Sequence, residues 1–411
     1  MIDATLEIII KTIALPILLW KGIINRLTSR KLFTEYTEPD EKKNYLIAEN
    51  MIKTRMDELY GNKDYALRDT HTKSHAAVKA ELEIFDLNVD EIKNLLEVKY
   101  NISPSITQHM ELKTGLFKKP CKYTVWLRFA NGDGRSNSDD KSDTRSMSVK
   151  IIGVEGTRLE TSHEAMTQDI ITQNGDVFLA KTIRDYIGFL QAIFKSNIHL
   201  VLWLLTHPMQ WLALIRIKKH YPSSLLTETY WSGSAFSLGD SQTTTQCPEV
   251  DNTSYPAVLK YAFIPIACDN TEKRLARQSA DPGVDIHSSY YRDDIIRKLA
   301  QPYAEYCWDF SIQFQTKSNL SIDDITIPWT ENDSPFITVG RLKVSHQIVD
   351  YEKQQVFCEN LRYSPWNGLK QHRPVGALNR LRKHVYPVVA SYRFNKSGTK
   401  QTEPNGKESF E

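Results

Sequence analysis

The chain has 411 residues, enough to bury a large core; length alone admits two or three domains or one large barrel-centred domain. A net charge of +2, with 41% hydrophobic and 25% charged residues, is that of an ordinary globular protein, and no basic excess asks for nucleic acid. The five cysteines (Cys121, Cys247, Cys268, Cys307 and Cys358) are scattered, odd in number and without a Cys-x-x-Cys pair, so neither a disulfide framework nor a zinc knuckle is expected. A reducing compartment, the cytoplasm, is the simplest location for such a chain.

In chain order, Leu6, Ile9, Ile10, Ile13, Ile17, Trp20, Ile24 and Leu27 recur at spacings of three and four, the pattern of one helix face. Asp3, Glu7, Lys11 and Lys21 make this segment too polar to span a bilayer, and the acidic start without a small-residue cleavage site does not read as a signal peptide. Residues 1–30 are thus expected to form an apolar amphipathic helix, either packed on its own domain or a sister subunit, or lying in a membrane interface. Residues 33–64 read as a polar helix with its approach. Tyr123, Val125, Leu127 and Phe129 alternate with polar or small residues, which predicts a strand, followed by turn chemistry at 131–134 and a solvated loop at 139–143. Further strands are predicted at 147–154 and at 169–179, the latter with a break at Gly175. Residues 196–215 contain no Asp, Glu, Lys or Arg, and Thr206, His207 and Pro208 in their middle predict two short helices joined by a turn rather than a span. Such an apolar pair suits a channel cover or contact with lipid. Strands follow at 257–266 and 308–315 with a helix at 293–306 between them, then a last helix from 376 towards 386. The tail at 396–411 is polar and expected to be disordered. The pattern as a whole is α+β: a closed antiparallel β-barrel with helices outside it.

No Gly-x-Ser-x-Gly, Walker loop, Gly-x-Gly-x-x-Gly or His-Glu-x-x-His occurs, so the common hydrolase, nucleotide and zinc-protease chemistries lack their anchors. His71 and His75 are four apart and can ligate a metal from one helix face, but no third ligand is marked. The segment Arg382-Lys383-His384-Val385-Tyr386-Pro387 places a guanidinium one helical turn before a tyrosine. A nearby cation favours the phenolate over the phenol, whose ordinary pKa is about 10. A tyrosinate is a hard anionic ligand for ferric iron.

Taken with its upstream partners, this segment resembles the haem catalases. Arg68, Asp69, Thr70, His71, Thr72, Lys73 and Ser74 resemble the Arg-x-x-His stretch that carries the distal histidine of that family. Gly115, Phe117, Pro120, Val125, Arg128 and Phe129 are similar to its Gly-x-Phe-x-x-Pro and Val-Arg-Phe strand, and Asp143, Arg145, Val149 and Lys150 to its Asp-x-Arg-x-x-x-Val-Lys stretch. Asp169, Asn174, Val177 and Phe178 follow in order, then Arg382, Tyr386, Pro387 and Arg393. Segments 364–367 and 372–376, with Asn379 and Arg380, resemble the minimal catalase-related proteins that include coral allene oxide synthase and small catalase-like peroxidases.

That resemblance implies a catalase-like haem domain over residues 31–395, with ferric haem b buried at the barrel and Tyr386 as the axial ligand to iron. It further implies Arg382 as the partner of Tyr386, and Arg68, Arg128 and Arg393 as partners of the haem propionates. His71 is implied as the catalytic acid–base, and Asn174 as the amide that orients the peroxide, with Gln173 as its competitor. Thr70 stands before His71 where catalases have Val, as in the allene oxide synthases, and Ala130 stands where catalases have a Ser that orients the histidine. A hydroxyl beside His71 disfavours catalatic disproportionation and turns the expected substrate towards fatty-acid or other organic hydroperoxides. The alternatives are a peroxidase or weak catalase that uses hydrogen peroxide, and a non-catalytic haem-binding or sensing protein. Peripheral membrane contact through residues 6–27 and 196–215 and a homo-oligomer are compatible with the pattern.

Overall fold

The computed structural model describes residues 31–410, except 180, 219, 241, 244–252, 270, 272 and 282–283. The expected helix at 6–27 and Cys247 lie outside the described residues. Eight antiparallel strands build the centre: β1 (Ser74–Ile84), β2 (Cys121–Asn131), β3 (Arg145–Ile152), β4 (Thr167–Gln173), β5 (Tyr230–Trp231), β6 (Ala257–Ile266), β7 (Glu305–Phe314) and β8 (Ile337–Ser345). Each pairs with its chain neighbours, and β8 returns to β1 through Gly340↔Ile84 to Lys343↔Glu81, closing a barrel that leaves no free edge among these strands. Alternate residues point inward. Val125, Leu127 and Phe129 meet Leu259, Tyr261 and Phe263 and Phe310, Ile312 and Phe314 in one fully buried core. At the Phe310/Ser311 bulge the register shifts by one residue, and opposite it Gly340 runs so close to strand β1 that a Cβ there would sit 2.3 Å from the Glu83 carbonyl oxygen.

The helices of ten residues or more among the described residues are α1 (Glu41–Tyr60), α2 (Val89–Val98), α3 (Ile183–Lys195), α4 (Asn197–Thr206), α5 (Pro208–Lys218), α6 (Tyr290–Leu299), α7 (Tyr351–Asn360) and α8 (Ala377–Ser397). They cover much of the barrel's outer surface, which is why all eight residues of β3 are buried although they read SVK and RSM rather than as an apolar run. Lys150, facing out of β3, is buried between Glu164 (2.6 Å) and Asp169 (2.7 Å). Asp169 also accepts from the Ser364 backbone, and Glu164 from the Asn367 side chain. This buried triad therefore fastens the loop that leads into α8.

Four expectations change. Helix α8 does not stop at Tyr386 but continues ten residues beyond Pro387 to Ser397. Leu381, Val385, Val389 and Tyr392 pack on Tyr45, Ala48, Ile52 and Met56 of α1, and that burial outweighs the one hydrogen bond that proline removes. The polar tail is docked rather than disordered: Trp126 Nε1 donates to Glu408 at 2.9 Å, and Phe410 packs on Trp126 and Phe357. Cys268 and Cys307 are joined in a disulfide, their Cα atoms 5.4 Å apart. Pairing of Ile266 with Cys307 brings these thiols together across 39 residues of sequence, a proximity that spacing does not reveal. Finally, His71 and His75 share no helix face; His71 lies in a loop and His75 on β1.

Candidate functional site

A cavity of about 310 Å³ lies between the barrel and helices α1, α3 and α8, within the size range of small-molecule sites. The barrel side contributes the 68–71 loop, Arg128 of β2, Ser148 of β3 and the end of β4. The helical side contributes Ile52 and Arg55 of α1, Tyr186 to Phe194 of α3, and a stripe of α8 containing Arg382, Tyr386, Val389 and Arg393. Of the residues expected at the site, Arg68, Thr70, His71, Arg128, Arg382, Tyr386 and Arg393 all line this cavity; Asn174 does not.

His71 is held in an unusual backbone conformation, with φ +55°, a region that costs a non-glycine residue about 1 kcal/mol or more. The neighbours over-determine it. Its N–H donates to Gly132 O (3.1 Å), its carbonyl accepts from Arg128 Nη2 (2.7 Å), and the next residue's N–H donates to Asp133 O (3.2 Å). Thr72 Oγ1 closes the turn on Arg68 O at 2.7 Å. Burial, then the positive charges of Arg128, Arg382 and Arg68, push the imidazole down to about 3, so it is neutral in ordinary buffers. Among the described residues its buried Nδ1 has no hydrogen bond of ordinary geometry, and Ala130 has no hydroxyl to supply one; the Asn131 backbone is near enough to offset part of the downward push on the ring. Nε2 is the nitrogen left for the cavity. Thr70 is exposed at the cavity, with no hydrogen bond to the His71 ring among the described residues.

On α8, positions 382, 386, 389 and 393 fall on one face by helical spacing. Arg382 was expected against the Tyr386 oxygen. Its hydrogen bonds instead go to Ser234 Oγ (3.0 Å) and Asn379 Oδ1 (3.3 Å), and it lies over the Phe178 ring at 5.9 Å. These acceptors hold the guanidinium at the cavity wall beside Tyr386 without a direct bond between the two.

Arg68, Arg128 and Arg393 converge on one carboxylate. Glu359, at the end of α7, pairs with Arg68, with Arg128 at 3.8 Å and with Arg393 at 3.5 Å. Backbone carbonyls of Cys358 and Leu361 take further donors from Arg68, and Leu361 O accepts from Arg393. Three guanidiniums against one carboxylate leave an excess of two positive charges. The crowding acts unequally: burial, then Arg68, pushes Arg393 down to about 9 and lowers Arg128 as well, whereas against burial the Glu359 charge raises Arg68. Arg128 Nε is buried with no partner.

The distal amide also moves. Asn174 Oδ1 accepts from the Arg145 backbone at 2.8 Å, and its Nδ2 approaches Glu228, which puts it outside the cavity in a network with Arg277 and His220. Gln173, the competitor, lines the cavity and is steadied by donating to Val177 O at 2.9 Å. His75 is buried where the start of β1 meets the 131–139 segment and α6: it hydrogen-bonds Asn131 Oδ1 at 2.7 Å and stands edge-on to Tyr291, and no cluster of metal-ligating side chains occurs among the described residues.

The chain is similar in structure to a fungal catalase (TM-score 0.55, 17% identity, 84% of this chain and 63% of the other). It is similar also to catalase A from Saccharomyces cerevisiae (0.57, 16%, 87% and 68%) and to a bacterial catalase (0.55, 14%, 86% and 63%). The fold is catalase-like. The chain spans 63–68% of the length of these catalases. No family model and no curated protein matches the sequence.

Within this catalase-like barrel, sequence reasoning missed Glu359, because a glutamate near a helix end reads as a solvated surface residue. It missed the α3 wall, Tyr186, Phe189 and Ile193, for lack of any chemical signature. Motif order alone could have drawn attention to Glu359, since it lies five residues before the 364–367 segment.

Proposed function

We propose that this chain is a haem-dependent enzyme that metabolises hydroperoxides, with fatty-acid or other organic hydroperoxides as its substrates. The carrying observation is the excess of two buried guanidinium charges at Arg68, Arg128 and Arg393 beside a cavity that also holds His71 and Tyr386. A haem b fits this donor set: it brings two carboxylates, the number of uncompensated cations, and an iron that takes a tyrosinate. The orphaned Arg128 Nε supports the same fit. Tyr386 would hold the iron through its phenolate oxygen, with the Arg382 charge nearby favouring the anion. Bound there, ferric haem would supply the redox chemistry of peroxide O–O cleavage.

The remaining work falls to the chain. Neutral His71 accepts the hydroperoxide proton at Nε2 and can return it to the departing oxygen. The Arg128 bond to its carbonyl and the strained loop fix the ring's position. Gln173 lines the cavity with its Nε2 committed to Val177 O and, at 3.5 Å, to Gly175 O, so its Oε1 is the atom left to accept a hydrogen bond there. Phe178, Leu179, Phe189 and Ile193 make an apolar wall that excludes water and accepts an alkyl chain. Such a wall favours an organic hydroperoxide over hydrogen peroxide, as does the exposed hydroxyl of Thr70. A likeness to the minimal catalase-related proteins, coral allene oxide synthase among them, is part of this reading.

The haem-loaded chain is expected to consume a polyunsaturated fatty-acid hydroperoxide rapidly and to evolve oxygen from hydrogen peroxide slowly. His71→Ala should lower the first rate by about 10²–10⁴-fold. Equal inertness towards both peroxides, or oxygen evolution as the faster reaction, would sink the substrate assignment.

A further inference from the structure

Helix α4 is apolar on both sides, and only one side has a partner among the described residues. Its inner face packs on α3, with Leu204 buried and Trp203 closing over Gly188. Its outer face carries Ile198, Val201, Leu202 and Leu205 at spacings of three and four, 71%, 53%, 57% and 58% exposed. A surface helix in water presents polar groups outward, and a row of four large aliphatics is the exposed patch that marks a binding surface.

The surroundings say what covers it. The stretch 196–215 lacks any Asp, Glu, Lys or Arg, whereas Lys195 stands immediately before it and Arg216, paired with Asp176 at 2.6 Å, immediately after, with Lys218 and Lys219 following in sequence. An uncharged aliphatic face between two basic margins complements acyl chains below anionic headgroups. No single described helix is long and apolar enough to cross a membrane; α4 and α5 bend by 115° at His207 and Pro208. At 10 residues, α4 is about 15 Å long, half the thickness of a bilayer's hydrocarbon core, so it fits in the interface plane. A protein partner would ask for free polar donors within the patch; His199, Thr206 and His207 beside it are already bonded to Ser196 and to the Trp203 carbonyl.

The position of this face gives it a use. Phe194, Leu200 and Leu214, from the same helical unit, line the cavity beneath. We propose that the outer face of α4 docks on an anionic lipid surface, so that the hydroperoxide reaches the cavity from the membrane between α3, α4 and α5. The docking stands independently of the haem reading; only the delivery of a membrane-borne hydroperoxide rests on it.

The test uses the full chain, sedimented with phosphatidylcholine vesicles and with vesicles containing phosphatidylglycerol, with no peroxide present. The parent should partition to the anionic vesicles, less so in high salt. Leu202→Glu/Leu205→Glu, at exposed positions outside the core, should leave thermal unfolding unchanged and reduce partition at least about tenfold. A parent that sediments with neither vesicle overturns the proposal, as does a double variant that partitions like the parent, which would assign the anchor to residues 6–27. A parent that forms a dimer, lost in the variant, without vesicle binding also overturns it and makes the face a contact between copies. Because vesicle binding and peroxide consumption are separate readouts, either reading can fail while the other stands.

Discussion

Two arginine clusters of opposite stoichiometry flank helix α8. Near its start, one cation, Arg380, faces three carboxylates: Glu35 at 2.6 Å, Glu41 at 2.6 Å and Asp323 at 3.3 Å. Near its end, three cations face one carboxylate, Glu359. The first surplus is absorbed internally, since the backbone N–H groups of Gly376 and Ala377 donate to Glu35 and Asp323, and Tyr45 and Tyr255 donate to Glu41 and Glu35. Those N–H groups belong to a helix N-terminus, where negative charge is favoured. The second surplus has no such relief: four carbonyls, of His71, Cys358, Glu359 and Leu361, take part of it, and Arg128 Nε has no partner among the described residues. A closed cluster is an anchor; a cluster with unspent charge beside a cavity is a site.

This contrast can be broken by mutation. Arg380→Ala should be the most damaging change, leaving three buried carboxylates without their cation and lowering the unfolding free energy by about 3–5 kcal/mol in urea titration, with or without haem. Glu359→Gln removes the only counter-charge of the other cluster and should destabilise the haem-free chain by about 3 kcal/mol. Here the loss should shrink when haem is supplied, because its carboxylates take over the role. If haem rescues Arg380→Ala equally, or rescues neither, the distinction between anchor and site falls.

Acid sharpens the comparison with a smaller effect. Burial holds His71 down to about 3, His75 to about 4 and His372 to about 3, so all three stay neutral in the folded chain when the unfolded chain takes up protons near pH 6.5. More protons are bound by the unfolded state below that pH, so stability should fall as pH drops from 6.5 towards 4, by at most about 1.4 kcal/mol per pH unit for each histidine. Melting temperature against pH for His75→Gln should show a shallower decline than the parent. An unchanged slope would contradict the burial of a neutral His75.

The barrel was legible because inward alternation survives in β2 and β6, and β6 runs over the 257–266 predicted from it. Strands β1 and β8 went unpredicted although they carry the same period, with Lys79, Glu81, Arg341 and Lys343 alternating with Ala80, Leu82, Leu342 and Val344 of the core. At the site, order along the chain pointed to His71, Arg128, Tyr386 and Arg393, which the fold gathers from a loop, a strand and a helix. What spacing could not carry was side-chain direction: Gln173 ends β4 and lines the cavity, whereas Asn174, just beyond the strand, turns its Oδ1 to the Arg145 backbone. Nor could it carry partners distant in sequence, such as Glu359 and the Cys268–Cys307 pair.

The central claim is that the charge surplus and Tyr386 belong to one haem site. Its most direct measurement is the ultraviolet–visible titration of the purified chain with ferric haem, set beside Tyr386→Phe. The account predicts one haem bound per chain with a tyrosinate-ligated ferric spectrum, and loss of that spectrum with at least about tenfold weaker binding in the variant. Saturable binding with an unaltered spectrum in Tyr386→Phe, or no stoichiometric binding by the parent, would contradict it.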